Sequence, residues 1–413
     1  MLGVIADDFT GASDIASFLV ENGLATVQMN GVPTKPLQSG VDAIVISLKS
    51  RSNPAHEAVE QSLQALRWLQ DNGCNRFYFK YCSTFDSTEK GNIGPVTDAL
   101  LDALKEEFTI VTPALPVNGR TIFNGYLFVG NVPLNESGMQ NHPITPMKDA
   151  NLMRLMDAQS KGKTGLVSYQ DVLKGSDGVK ARFAELKKQG YRYAVVDAVD
   201  NSQLAVLAEA VADFKLVTGG SGLAAYMAER ISGGKQGGDA FTPTKGKTVV
   251  LSGSCSVMTN KQVNAYKAKA PTIQLDVEQA LNNPNYTEEL YQWVTANLTQ
   301  ALAPMVYATV PPEVLKDIQA KFGVDKASHT IENTFARLAE KLKAAGVINF
   351  ITAGGETSSI VVQQLGFGGF HIGKQIAPGV PWLRAIEEPV HLALKSGNFG
   401  KEDFFEYAQG MFV

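Results

Sequence analysis

The stretch Gly3-Val4-Ile5-Ala6-Asp7-Asp8-Phe9-Thr10-Gly11-Ala12 carries the pattern that decides the fold. Residues 3–6 read as a buried strand, and the two carboxylates with Thr10 and Gly11 read as the turn by which a strand enters a helix. Outward from there, β-rich runs at 43–47, 76–80, 109–112, 193–196 and 216–218 alternate with helix-like stretches such as 55–70 and 96–107. The segment 121–128 carries Asn124-Gly125 and reads as an antiparallel hairpin. A second series, at 248–251, 272–275, 305–308 and 349–351, alternates with helical patterns near 257–267, 288–302 and 330–345. Alternation of this kind predicts an α/β protein whose mainly parallel sheets are flanked by helices. Between the two series the chain becomes glycine-rich, polar and proline-punctuated. That break predicts two domains, 1–231 and 248–413, joined by a linker at 232–247.

Composition narrows the classes of function. Across 413 residues, 44% are hydrophobic and 19% charged, and mean hydropathy is close to zero. These are the values of an ordinary soluble globular chain. No apolar run reaches the roughly 18 residues of a membrane span. The first eight residues include two carboxylates and no basic cluster, which predicts no signal peptide and a cytoplasmic location. Net charge is −4 with both signs mixed, so nucleic acid and membrane are not expected as partners. A homo-oligomer is left open. Cys74, Cys82 and Cys255 are scattered and odd in number, which predicts reduced thiols. The five histidines lack zinc-type spacing, so no metal ligands are assigned.

Four strand-to-helix turns are rich in Gly, Ser and Thr: 7–12, 218–222, 252–256 and 352–358. Such turns either cap helices or bring backbone N–H groups up to a phosphate. Neither Gly162-Lys163-Thr164 nor Gly246-Lys247-Thr248 has the earlier glycine of a P-loop. Gly220-Ser221-Gly222-Leu223-Ala224-Ala225 fits a dinucleotide turn, but no strand ending in an acid follows about 20 residues on. An NAD-dependent sugar-acid dehydrogenase is therefore the alternative reading, with a non-catalytic sensor as a third. Asp7 and Asp8, adjacent in an extended segment, are expected to point opposite ways. Polar groups that suit a sugar acid crowd the first domain: Asp7, Thr10, Arg51, Lys80, Asp86, Ser87, Arg120 and His142. Arginine suits the carboxylate because it can bond it bidentately.

On these motifs the chain resembles the four-carbon acid sugar kinases over its whole length. The resemblance rests on Asp7-Asp8-Phe9-Thr10-Gly11-Ala12, on Asp86-Ser87-Thr88 through Gly91-Asn92, and on Asn118-Gly119-Arg120-Thr121. It extends to His142-Pro143, Thr218-Gly219-Gly220-Ser221, Ser252-Gly253-Ser254 and Gly354-Gly355-Glu356-Thr357. The stretch 80–94 is similar to the 3-oxo-tetronate kinase branch. What the resemblance implies is a sugar-acid-binding first domain, a nucleotide-binding second domain, and phosphorylation of a terminal (4-) hydroxyl by ATP with Mg²⁺. It implies nucleotide contacts at Ser254, Gly354, Gly355, Glu356, Thr357 and Gly397. Asp8 is the expected general base, with Asp7 and Asp86 behind it, and Arg51, Lys80 or Arg120 would meet the carboxylate. Lys90 stands where other branches carry arginine, which speaks against a D-threonate or D-erythronate kinase.

Overall fold

The computed structural model describes residues 1–34, 40–142, 144–235 and 240–413. The chain divides into two compact units, Met1–Asp239 and Ala240–Val413. Within the stretch expected as linker, Ser232 still belongs to the helix Ser221–Ser232, which Gly233 closes at a φ of 67°. Residues 236–239 lie outside the described residues.

In the first unit the strands are β1 (Leu2–Ala6), β2 (Thr26–Asn30), β3 (Ala43–Ser47), β4 (Arg76–Lys80), β5 (Thr109–Thr112), β6 (Arg120–Phe123), β7 (Tyr126–Val129), β8 (Val132–Pro133), β9 (Thr164–Val167), β10 (Tyr193–Val196) and β11 (Leu216–Gly219). Eight of them form a parallel sheet in the order β2-β3-β1-β4-β11-β5-β10-β9. Every residue of β1, β3, β5, β10 and β11 is buried. A sheet covered on both faces demands apolar side chains on both, which is why these strands read as unbroken runs. Burying each Val, Leu or Ile side chain stabilises the unit by roughly 1.5–3 kcal/mol. The helix Phe9–Glu21 has 11 buried residues out of 13, so it belongs to the core and is not an amphipathic surface helix.

Strands β6, β7 and β8 form a separate antiparallel sheet. Asn124 and Gly125 turn the hairpin with φ of 50° and 76°, the left-handed pair that this dipeptide favours. Beneath the turn, the buried Asp197 carboxylate accepts the N–H groups of Asn124, Gly125 and Tyr169 at 2.8, 2.9 and 2.8 Å.

The second unit contains β12 (Thr248–Ser252), β13 (Thr272–Gln274), β14 (Met305–Tyr307), β15 (Asn349–Ala353), β16 (Gly369–Ala377), β17 (Val380–Ala385) and β18 (His391–Lys395). Their order is β13-β14-β12-β15-β18-β17-β16. The pairs from β13 to β18 are parallel, and β17 pairs antiparallel with both β18 and β16. Its core packs Trp382 with Val250, Ile351, Phe404 and Phe405. No helix among the described residues is long and apolar enough to cross a membrane.

Candidate active site

In both parallel sheets the unit's first strand lies inside the sheet. β1 sits between β3 and β4, and β12 between β14 and β15. The chain adds strands on one side and then crosses to the other, so loops leaving neighbouring strands part. The resulting crevice, outside the carboxyl ends of the strands, is where open α/β sheets bind ligands.

At the first crevice the loop leaving β3 folds back over β1. Ser50 and Arg51 donate their N–H groups to the Asp7 carbonyl at 3.0 and 3.2 Å. Asn92 holds the same loop, donating from Nδ2 to the carbonyls of Ser50, Arg51 and Asn53 at 2.8, 3.2 and 2.8 Å. The Arg51 guanidinium is thereby aimed at Asp7, donating to its two carboxylate oxygens at 3.0 and 2.8 Å. The same Nη2 donates to Asp8 Oδ1 at 2.7 Å, and Nη1 lies 3.8 Å from Asp86. The expectation that Asp7 and Asp8 face opposite sides is thus corrected. Asp7 still donates its N–H to the Lys80 carbonyl of β4 at 3.1 Å, but Asp8 is already the cap of the next helix, so strand alternation ends between them and both carboxylates converge on one cation.

Asp8 is also the N-cap of the helix Phe9–Glu21. It accepts the Gly11 N–H at 3.0 Å and the Thr10 hydroxyl at 2.9 Å, so capping and ion pairing coexist in one side chain. Burial works to raise its pKa, but Arg51, Lys80, Thr10 and Gly11 outweigh it and hold the carboxyl below its ordinary value. In Asp7 burial prevails and the pKa is raised.

Lys80 ends β4 as a buried cation. Its Nζ donates to the Tyr81 carbonyl at 2.9 Å and lies 3.6 Å from Asp14 Oδ2. Asp14 was not anticipated. It accepts the Ser221 hydroxyl at 2.6 Å, its Oδ1 has no hydrogen-bond partner, and burial raises its pKa. The signal was a carboxylate in a helix otherwise built of small and apolar residues. Arg120 is the contrasting cation. Among the described residues no carboxylate lies within ion-pair distance of it; Nη1 donates to the Asn118 carbonyl, and the buried Nε has no partner. Burial lowers its pKa, with Cys82, Asp14 and Asp86 acting in the opposite direction.

Two expected substrate contacts stand apart. Ser87 is fully buried; its hydroxyl donates to Gln159 at 2.6 Å and accepts the Ile93 N–H at 3.3 Å. Both capacities are spent inside the fold, which corrects its assignment to the substrate. His142 Nδ1 is engaged by the N–H and hydroxyl of Thr145 at 3.1 and 3.0 Å. None of its hydrogen bonds reaches the Arg51 cluster, and Pro143 lies outside the described residues. The 218–222 turn serves packing: a Cβ would stand 2.4 Å from the Thr112 carbonyl oxygen at Gly219, 2.7 Å from that of Pro113 at Gly220, and 2.5 Å from that of Ala114 at Gly222. Glycine is required there by neighbouring backbone, so packing alone accounts for the pattern on which the dinucleotide reading rested.

At the second crevice β12, β15 and β18 end side by side. Gly253 and Ser254 donate their N–H groups to the Ala353 carbonyl at 2.9 and 3.1 Å, and Gly354 donates to the Lys395 carbonyl at 2.8 Å. Gly354 has a φ of 121°, which side-chain-bearing residues avoid. A Cβ at Gly397 would stand 2.6 Å from Ser254 Oγ, and one at Gly253 would stand 2.1 Å from Thr357 Oγ1. Ser254, Gly354, Thr357 and Gly397 are therefore one cluster, with Gly355 and Glu356 opening the helix Gly355–Leu365 beside them. Ser256 caps the helix Val257–Lys267 through the Thr259 N–H at 3.2 Å. Two helix N-termini meet here, a setting that favours an anion.

Lys395, absent from the sequence reading, closes β18 and is fully buried. Its Nζ donates to Thr259 Oγ1 at 2.9 Å and to the carbonyls of Ser396 and Gly397 at 3.1 and 2.7 Å. Burial pulls its pKa down to about 7. The available signal was a lysine ending the apolar run Leu392-Ala393-Leu394. Among the described residues no group of three or more His, Cys, Asp or Glu could hold a metal ion. Glu356 is the exposed carboxylate in the glycine turn.

Comparison with known proteins matches this division. Residues 2–227 match a family model described as a sugar-binding N-terminal domain, and residues 249–405 one described as a nucleotide-binding C-terminal domain. The 3-oxo-tetronate kinases of Actinobacillus succinogenes and Haemophilus influenzae are each 81% identical over the full length of both chains. That of Salmonella typhimurium is 54% identical over 100% of this chain and 99% of its own. Among solved structures, a Haemophilus influenzae protein superposes with a TM-score of 0.82 at 80% identity, covering all of both chains. A Salmonella typhimurium protein gives 0.92 at 54% identity, covering 100% of this chain and 99% of that one. The fold and its two crevices are those of an ATP-dependent carbohydrate kinase. The chain belongs to the four-carbon acid sugar kinase family.

Proposed function

We propose that the protein transfers the γ-phosphoryl group of ATP to the 4-hydroxyl of a 3-oxo-tetronate, acting in sugar-acid catabolism. The observation that carries this reading is 81% identity, over the entire chain, to two relatives named 3-oxo-tetronate kinase. The first unit holds the sugar acid and the second holds ATP. Arg120, which has no carboxylate within ion-pair distance among the described residues and whose buried Nε lacks a partner, meets the substrate carboxylate. Arg51 keeps Asp7 and Asp8 in place and is already neutralised by them.

The hydroxyl oxygen forms a bond to the γ-phosphorus as the bond from that phosphorus to the β,γ-bridging oxygen breaks, and ADP leaves. Asp8 accepts the hydroxyl proton. A low pKa suits this step, because in a loose transition state the proton leaves late and positioning dominates. Asp8 also presents more of its side chain than Asp7, 24% exposed against 8%. Ser254, Gly354, Gly355, Thr357 and Gly397 cradle the nucleotide phosphates. Magnesium would be held chiefly by those phosphates with Glu356 as its protein carboxylate, the one or two ligands that this ion usually takes from protein, and it would neutralise charge on the transferring group.

An ADP-release assay across tetronates and 3-oxo-tetronates tests the reading. ATP- and acid-dependent turnover should be fastest with a 3-oxo-tetronate. Turnover confined to D-threonate or D-erythronate would replace the substrate, and no turnover with any sugar acid would defeat the proposal.

A further inference from the structure

Among the described residues of the second unit, the steps above leave without a role a lysine that is fully buried. Lys395 is buried at the end of β18, yet it joins both glycine turns of the crevice. Its backbone carbonyl accepts the Gly354 N–H at 2.8 Å, and its ammonium donates to the Gly397 carbonyl at 2.7 Å. The third partner, Thr259, lies in the first turn of the capped helix Val257–Lys267 and donates its own hydroxyl to Gly397 at 2.7 Å. One residue thus ties together three segments beside Ser254, the Gly354 turn through its backbone carbonyl and the Gly397 turn and the capped helix through its side chain.

All its side-chain partners are neutral: a hydroxyl, two carbonyls and, 6.0 Å away, the Phe404 ring. No carboxylate, histidine or second cation perturbs it; burial alone depresses its pKa. A buried ammonium without an anion is a costly arrangement. Without an anion the group escapes that cost by giving up its proton; an anion arriving beside it would keep the ammonium instead, and Gly397, the residue it holds, lines the proposed phosphate cradle.

We propose that Lys395 is the positioning residue of the nucleotide site, holding the Gly397 turn against Gly354 and Thr259, with the polyphosphate of the bound nucleotide as the anion that completes its charge. This inference rests on the assignment of ATP to the second unit. Nucleotide binding then favours the ammonium over the neutral amine. With the free group titrating at about 7, binding is tightest below that pH and weakens as the pH rises above it, because a proton must be taken up.

The test uses the full-length protein and ATP. Calorimetric titration at about pH 8, in two buffers of different ionisation enthalpy, counts protons bound with the nucleotide. A terminal phosphate, second pKa about 6, is already ionised there, so uptake reports on the protein. Net proton uptake is expected in the wild type and its loss in Lys395→Met, whose side chain keeps the length without the charge. That variant should raise KM for ATP about 10-fold or more, flatten its pH dependence, and leave KM for the sugar acid within about twofold. ATP binding without proton uptake, or a folded Lys395→Met with wild-type KM for ATP, overturns the inference. Should the variant fail to fold, the wild-type proton count decides alone. A wild type that binds no ATP would instead defeat the nucleotide assignment itself.

Discussion

At the scale of single residues, the first unit sorts its charges by what each is bonded to. Arg51 is bound to Asp7 and Asp8, Lys80 sits beside Asp14, and Arg120 has no acid within ion-pair distance among the described residues. Arg120→Ala should therefore raise KM for the sugar acid by roughly 10- to 150-fold, the worth of a charge-assisted contact of about 1.5–3 kcal/mol, with KM for ATP nearly unchanged. An unaltered sugar-acid KM would return Arg120 to a structural role. Asp8→Asn should lower kcat by roughly 10²–10⁴-fold; asparagine still caps a helix but loses the ion pair with Arg51, so circular dichroism and a melting curve must establish that the variant is folded at the assay temperature. Near-normal kcat in a folded variant would remove Asp8 as the base. Asp7→Asn is no clean control, because both carboxylates share Arg51. The pH profile separates them better. Asp8 has a folded pKa below the ordinary 3.8, so both its contribution to stability and its ionised form are present at neutral pH and are lost only as the pH falls below that value. The wild-type kcat should then show no acid limb above about pH 5. An acid limb above that would point instead to a carboxyl raised by burial, Asp7 or Asp14.

At the scale of elements, Asp197 shows how a segment is placed by charge without taking part in chemistry. It accepts three N–H groups that begin or turn neighbouring elements, those of Asn124, Gly125 and Tyr169. Asp197→Ala should destabilise the first unit by about 1–3 kcal/mol, the cost of an orphaned buried donor, because the Gly125 N–H is buried while those of Asn124 and Tyr169 are only partly so. Urea unfolding would register the loss, and kcat per folded molecule should not follow it; a wild-type midpoint would show that water replaces the carboxylate. The hairpin above Asp197 was legible, since Asn124-Gly125 is a local signal, and so were the buried strands that read as apolar runs. β2, β8, β9, β16, β17 and β18 were not. Gly165 interrupts β9, yet a Cβ there would lie 2.4 Å from Leu186, so packing selects the residue that propensity counts against. In β16 the register slips between Ile372 and Gln375 and again before Ala377, which scrambles the alternation by which strands are recognised. The site was legible wherever a motif sat on one turn. Asp14 and Lys395 escaped because their meaning lies in burial and in partners distant in sequence, Lys80 and Ser221 for one and Thr259 for the other.

At the scale of the whole molecule, each unit has its own switch-point crevice, and the assignment of ATP to Ala240–Val413 can be tested without dissecting the chain. Gly354 and Gly355 are adjacent but obey different constraints. Gly354 has a φ of 121° and neighbours at 3.1–3.3 Å from a Cβ, so any substitution there strains the backbone and confounds folding with binding. Gly355 begins the helix Gly355–Leu365 without a left-handed φ, and a Cβ there would meet nothing within 4 Å. Gly355→Leu should therefore fold with a stability change within about 1 kcal/mol, helped by the gain that a non-glycine residue brings to a helix. What the leucine occupies is the open side of the turn whose N–H groups are assigned to phosphate. Isothermal titration should show ATP binding weakened by about 10-fold or more, as loss of a charge-assisted contact predicts, while sugar-acid binding stays near wild type. The opposite pattern, with ATP affinity kept and sugar-acid affinity lost, would exchange the roles of the two units. Loss of both in a protein that melts normally would mean that binding in one unit depends on binding in the other. A melting curve that shifts together with ATP affinity would trace the defect to folding, and Gly355→Ala, which adds only the Cβ that the structure accommodates, would then decide whether the turn itself tolerates a side chain.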